Sequence, residues 1–254
     1  MATAAFALAG LRVGVYAFPQ GRRLFDGLLA ATRPKRAWRV ATWYIYGAGG
    51  HGAETMDILH HMLHARGHTD IDTGFIDDAR SGERIVGRPV VNLAETVPGS
   101  MVTICVGEPD IRANLRKKAV DAGLELATVI SPLAFVSDHA GVDEGCIIAP
   151  FCSIQARAQL RQNVSVNTAA IVTHDTVLDR DCCISLQATI GGAARIGERS
   201  YVGMGAQVRE QVSIGKSTIV GMGAVVTKDI PDGVVCTGNP ARVARANDTG
   251  RIFT

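Results

Sequence analysis

From Val136 to Val226 every sixth residue is Val, Ile or Leu: Val136, Val142, Ile148, Ile154, Leu160, Val166, Val172, Leu178, Ile184, Ile190, Ile196, Val202, Val208, Ile214, Val220 and Val226. Sixteen hexads therefore keep one register. Two residues before each anchor stands a smaller side chain, such as Ala134, Ala140, Cys146, Cys152, Ala158, Thr218 or Ala224, with Val164 and Val212 the largest. A period of six fits no helix. It predicts a β-solenoid in which each short strand buries its anchor against the repeats above and below. With three hexads to a coil, residues 18 apart stack at roughly the 4.8 Å spacing of neighbouring strands. One buried column then reads Val136, Ile154, Val172, Ile190, Val208, Val226, a run of β-branched side chains suited to pleated surfaces. Gly191, Gly197, Gly203, Gly215 and Gly221, each directly after an anchor, are expected at corners that need a positive φ or a close backbone approach.

Upstream the period changes. The stretch "TWYIYGAGGHGAETMDILHHMLHARG" from Thr42 predicts a strand, a glycine turn and an amphipathic helix, with Gly47, Gly49 and Gly52 in GxGxxG spacing. Such a turn lets backbone amides and a helix N-terminus approach phosphate oxygens. A second strand, "IDTGFIDD", ends in Asp77 and Asp78, where an acidic side chain meets a ribose or base. "MVTICVG" predicts a third strand, followed by a helix over 111–123 and a strand around 126–130. Only about 90 residues separate this turn from the coil, barely half of a two-part dinucleotide-binding sheet. The organisation expected is a basic leader over 1–42, an α/β Rossmann-like domain over 43–131, an all-β coil over 132–243 and a tail over 244–254.

These motifs resemble those of the NeuD and PglD type of sugar acetyltransferase, in which a small Rossmann-like domain opening on a GAGGHG-like turn precedes a left-handed parallel β-helix of hexapeptide repeats. The resemblance covers residue 43 to about residue 243. The left hand of the coil comes from this resemblance, since the right-handed rule for crossovers describes strands joined by helices. The same resemblance implies that Gly49, Gly50 and His51 hold the nucleotide of a sugar nucleotide, with Asp77 and Asp78 as the acidic pair beside it.

Within the coil, "VNTAAIVTHD" puts His174 two residues past anchor Val172, at a corner, with Asp175 next to it. An imidazole beside a carboxylate suits general base work near neutral pH. Position alone favours an ordinary solvated histidine. Counting 18 residues on places Gly192 over His174, so a base and a backbone amide for an oxyanion face the same groove. The resemblance supplies the same set: an Asn seven residues before the base, here Asn167, an acid after it, Asp175, and the glycine amide of Gly192. It also implies a second histidine nine residues past the first, where this chain has Cys183. That departure bears on acceptor contacts more than on the chemistry. In the closing "VVTKDIPDGVVCTGNPARVAR", Lys228, Arg242 and Arg245 are either phosphate contacts of coenzyme A, as the resemblance implies, or members of a solvated terminus.

Composition and charge narrow the rest. Residues 1–42 hold seven basic side chains against Asp26, a net of +6, so a total of +2 leaves −4 for residues 43–254. A mildly acidic folded part argues against nucleic acid as partner. The Arg-rich leader reads as a disordered or extraneous segment, or as a basic arm or presequence. The chain has 47% hydrophobic and 20% charged residues, ordinary for a soluble protein, and no stretch of 18 apolar residues to span a membrane. Six cysteines without CxxC spacing read as core filler in a reduced, cytoplasmic protein. His60, His64 and His68 lie four apart but read as a solvated helix face, and no metal is expected.

The function expected is acetyl transfer from acetyl-CoA to the amino group of a nucleotide-linked amino sugar. In this reading His174 is the base, Asp175 its orienter, Asn167 the acceptor-placing residue and Gly192 the oxyanion donor. The alternatives are O-acetylation of sialic acid or another sugar hydroxyl, and a non-catalytic sugar-nucleotide-binding protein. A coil-borne carbonic anhydrase needs three histidine ligands, and the coil offers His139 and His174. The resemblance implies a homotrimer with coenzyme A in the groove between neighbours.

Overall fold

The computed structural model describes residues 42–252, so the expectations for the leader 1–42, apart from Thr42 itself, lie outside the described residues. The front part is a six-stranded sheet of β1 (Trp43–Tyr46), β2 (Thr73–Ile76), β3 (Arg84–Ile85), β4 (Arg88–Val91), β5 (Met101–Ile104) and β6 (Glu125–Leu126), in the order β3-β4-β2-β1-β5-β6. The central strands β2, β1 and β5 run parallel and are apolar on both faces, as parallel strands sandwiched between layers must be. Helix α1 (Gly50–Ala65) buries Met56, Leu59, Met62 and Leu63 on one side of this sheet. Helix α2 (Pro109–Asp121) lies on the other side, where Tyr44, Tyr46, Ile76, Val102, Ile104, Ala119 and Leu124 form a second, smaller core. The helix expected from residue 111 begins at Pro109, a residue whose fixed φ suits a first turn.

The strand expected around 126–130 is two. Glu125–Leu126 closes the front sheet, whereas Val129–Ile130 pairs with Ile147–Ile148 and is the first rung of the coil.

The coil is a left-handed parallel β-helix of triangular section. Its first face stacks Val129–Ile130, Ile147–Ile148, Ser165–Val166, Cys183–Ile184, Tyr201–Val202 and Ile219–Val220. The second runs from Phe135–Val136 to Val225–Val226, and the third from Gly141–Val142 to Ser213–Ile214. Every parallel pairing within these three faces is offset by 18 residues, as in Val172 opposite Ile190. From Ile148 onward no anchor is more than 3% exposed. Each two-residue strand turns only its anchor into the coil, and on the first face the other residue is mostly covered as well, so stability comes from continuous stacking more than from any single sheet.

The corners divide the backbone demands between two positions. At every turn from Gly145 to Gly223 the third residue past the anchor has φ between +51° and +76°, and most of these are not glycine: Arg157, Asn163, Asp175, Asp181 and Gln187 are examples. The glycines directly after anchors serve close approach instead: a Cβ on Gly191 would stand 2.4 Å from the Glu210 nitrogen on the coil above. After the last full coil, Val234–Thr237 extends the first face, and Arg242–Ala246 returns antiparallel beside it.

Candidate active site

The turn joining the second face to the third, which we call the second corner, carries His174. Its imidazole is exposed, 60% accessible, because the corner throws the second residue past the anchor outward. Asp175 occupies the positive-φ position that follows, a conformation aspartate tolerates better than most residues. Its Oδ2 lies 2.8 Å from His174 Nδ1. Arg157, one coil below, grips the same carboxylate through Nε and Nη2 at 2.6 and 2.7 Å. The two partners, Arg157 first and His174 second, hold the Asp175 carboxyl down to about 2, so it is ionised at any working pH. A carboxylate fixed in this way aligns the ring and favours the tautomer with its proton on Nδ1, leaving Nε2 as the base. Arg157 was not anticipated from the sequence, although the count of 18 that pairs His174 with Gly192 also sets Arg157 beneath Asp175.

Gly192 stacks over the imidazole. A Cβ there would stand 2.7 Å from Cε1 and 2.8 Å from Nε2 of His174, so only glycine admits the ring. The Gly192 N–H has no hydrogen-bond partner among the described residues, whereas its neighbours on both sides donate to the ladder: Gly191 to Val208 and Ala193 to His174. An unpaired amide and a free imidazole nitrogen thus share one place at the surface of the coil. Lys228 lies on the same corner three coils beyond His174, about 14 Å along the stack, and is exposed. Arg242 and Arg245 project from the exposed returning strand at the end of the first face instead.

The glycine turn sits at the C-terminal edge of the front sheet. Gly47, with φ at +116°, abuts the Cys105 carbonyl, and a Cβ on Gly52 would overlap the Gly47 oxygen at 1.9 Å. Those two glycines are dictated by the chain's own packing. Gly49 and Gly50 are different: a Cβ on either would meet no atom of the chain within 4 Å. Helix α1 begins there without a side-chain cap or an acidic residue in its first turn, so its first amides are available to an anion. Asp77 accepts from the Ala48 and Ala79 amides, and Asp78 from the Leu93 amide at the start of a one-turn 3-10 helix. Both carboxylates therefore brace the loops around the turn as well as lying at its rim.

His51, half-buried, joins the two halves of the molecule. Its ring faces the Asn167 side chain on the corner between the first and second faces. Burial, with the Arg112 charge second, pushes its pKa down to about 4. The glycine turn, His51 and Asn167 thus form one group at the first corner, and His174, Asp175, Arg157 and Gly192 form another at the second.

Cys183 is 2% exposed on the first face, under the front domain. Burial pushes its thiol up to about 11, and it pushes Cys105 and Cys146 to about 12. None of these is a nucleophile at neutral pH. His60 bonds Thr73 at 3.0 Å, and among the described residues no group of three or more His, Cys, Asp or Glu side chains is arranged to hold a metal. No described helix is long and apolar enough to cross a membrane.

A free imidazole nitrogen held against an open amide, on a coil wound from hexads, is equipment for acyl transfer, and the chain falls in the class of hexapeptide-repeat acyltransferases. Residues 43–119 match the family described as PglD N-terminal domain, and residues 193–228 match bacterial transferase hexapeptide (six repeats). The chain belongs to the NeuD/PglD-like family of sugar acetyltransferases. It is 29% identical over 214 residues to GDP-perosamine N-acetyltransferase of Escherichia coli O157:H7, an alignment covering 81% of this chain and 97% of that protein. The acetyltransferase domain of PglB from Neisseria gonorrhoeae, solved with acetyl coenzyme A, is 36% identical with a TM-score of 0.72, over 81% of this chain and all of that one. PerB from Caulobacter crescentus, solved with CoA and GDP-perosamine, is 31% identical with a TM-score of 0.72, over 81% and 98%. Fold class and enzyme class agree with the reading of the sequence.

Proposed function

We propose that the protein transfers the acetyl group of acetyl-CoA to the amino group of a nucleotide-linked amino sugar of the GDP-perosamine kind. The observation that carries the reading is the contact of His174 with Gly192, at a corner where Asp175 occupies the other ring nitrogen. His174 Nε2 takes a proton from the amine as its nitrogen attacks the thioester carbonyl. The Gly192 amide receives the oxyanion, collapse of the tetrahedral intermediate breaks the C–S bond, and the imidazolium returns its proton to the coenzyme A thiolate. No acyl-enzyme is formed, which agrees with buried, protonated thiols.

Acetyl-CoA lies along the second corner, with Lys228 toward its phosphates; Arg242 and Arg245 approach the same groove from a neighbouring copy. The nucleotide sits on Gly49, Gly50 and the start of α1 beside His51, Asp77 and Asp78, and Asn167 places the sugar. Because the nucleotide turn and His174 belong to different corners, a complete site requires a second chain. We therefore propose a homotrimer. An exposed apolar ridge on and beside the first corner supports it: Leu133, Phe151, Leu186, Met204 and Met222 are 42–78% accessible. Six buried, unpaired cysteines support a reducing, cytoplasmic setting.

The test is coenzyme A release from acetyl-CoA with a panel of GDP-, UDP- and dTDP-linked amino sugars and free sialic acid. A GDP- or other nucleotide-linked amino sugar is expected to be turned over fastest. Turnover of sialic acid alone assigns O-acetylation instead, and no turnover with any acceptor leaves the binding-protein alternative.

A further inference from the structure

Arg112 lies on α2 and is wholly buried, a rare condition for a guanidinium. Among the described residues no carboxylate bonds it. Nη1 donates to the carbonyls of Ile104 and Val106 at 2.6 and 3.3 Å, and Nη2 donates to the carbonyl and Oδ1 of Asn163 on the coil at 2.8 and 3.0 Å. Asn163 Nδ2 in turn donates to Asp181 Oδ1 at 2.7 Å, and Arg116, one helical turn after Arg112, holds Asp181 through two bonds of 2.9 Å. Asn163 and Asp181 stack 18 residues apart at the corner between the third and first faces, both at positive φ, which Asn and Asp accept readily.

Ile104 and Val106 flank Cys105, and the Cys105 carbonyl is the surface against which Gly47 of the nucleotide turn rests. The fork of Arg112 thus holds the two peptides beneath the turn with one amino group and the coil with the other. Lysine, with one point of charge on a flexible stem, cannot make this double grip. The charge of Arg112 also reaches His51, which faces Asn167, and after burial it is the second cause of that ring's neutrality.

We propose that Arg112, through Asn163 and Asp181, is a positioning residue for the acceptor: it sets the height of the nucleotide turn above the coil, so that the sugar is delivered in register with Asn167. This inference rests on the functional reading above. It predicts a defect confined to the nucleotide sugar, because Lys228 and the second corner share no contact with this network.

The experiment measures KM for GDP-perosamine and for acetyl-CoA, together with melting temperature, in wild type, Arg112→Lys and Asn163→Gly. Asn163→Gly keeps the positive φ and the carbonyl bond to Arg112, and removes the side-chain bonds to Arg112 and to Asp181. Acceptor KM is expected to rise about tenfold in Arg112→Lys and about three- to fivefold in Asn163→Gly, with acetyl-CoA KM within about twofold. Equal changes in both KM values, or a lower melting temperature with neither KM changed, would overturn the proposal and leave a purely structural bridge. If Arg112→Lys does not fold, Asn163→Gly decides. If wild type acetylates no amino sugar, the functional reading fails by itself, and GDP affinity against coenzyme A affinity in the same variants decides the positioning role.

Discussion

Replacing Gly192 by alanine isolates the pairing of base and amide. The backbone at Gly192 is not in the left-handed region, so alanine meets no conformational penalty there. Its methyl would arrive 2.7 Å from His174 Cε1 and 2.8 Å from Nε2, about 0.7 Å inside the 3.4 Å at which ordinary contact begins. The corner backbone above and below is bonded into the ladder, with the Gly192 carbonyl accepting from Gln211, so the exposed ring is the part that yields. Swinging it aside lengthens the 2.8 Å bond to Asp175 and moves Nε2 away from the amine. A displacement approaching 1 Å costs about 100-fold in rate, or about 2.7 kcal/mol of transition-state stabilisation. Gly192→Ala is therefore expected to lose about 100-fold in kcat/KM, measured by coenzyme A release, with a melting temperature within about 2 °C of wild type. The double variant with His174→Ala should be no slower than His174→Ala alone, since the methyl acts by moving a ring no longer present. A Gly192→Ala enzyme within threefold of wild type, or losses that multiply in the double variant, would refute the geometry.

Arg157→Met removes both bonds to Asp175 but neither the carboxylate nor the imidazole; both side chains are solvent-accessible, so kcat is expected to fall only about three- to tenfold. A loss as large as that of His174→Ala would show that Arg157 contacts substrate. His51 titrates near 4 in the fold and near its ordinary 6.5 in the unfolded chain, so between those values the unfolded chain holds the extra proton. Stability is then complete above pH 6.5 and falls as pH drops toward 4, by at most about 3 kcal/mol, less for the screening at a half-buried site. Urea titrations of wild type and His51→Gln across that range should differ in slope, and identical slopes would contradict the assignment. Iodoacetamide at pH 8 is expected to leave the native enzyme active and unlabelled, because all six thiols are buried, while the unfolded chain takes six labels. Rapid inactivation in step with labelling of one cysteine would show a reactive thiol at the site.

The coil and its second corner were legible because a period of six counts coils as well as strands: the same arithmetic that buries Val172 under Ile190 sets His174 under Gly192. Arg157 was within reach of that arithmetic, being 18 residues before Asp175. The corner conformation was not. Its left-handed position is filled by Arg157, Ala169, Asp175 and Gln187 alike, a mixture with no common side-chain signal, whereas the visible glycines mark close approach. Gly49 and Gly50 were legible as a motif, and the structure adds that nothing in the chain's own packing demands them. Arg112 left no trace in the sequence: its partner on the coil is 51 residues away on another element. Docking between two domains is a tertiary match that neither periodicity reveals.

The most direct test of the account is product analysis after a single turnover of GDP-perosamine with acetyl-CoA, in wild type and in His174→Ala, with acceptor binding measured in parallel. Wild type should place one acetyl group on the sugar nitrogen as a hydroxylamine-resistant amide. His174→Ala should bind the acceptor normally and transfer about 1000-fold more slowly. An acetyl ester on a sugar hydroxyl, or transfer by His174→Ala within a few-fold of wild type, would contradict it.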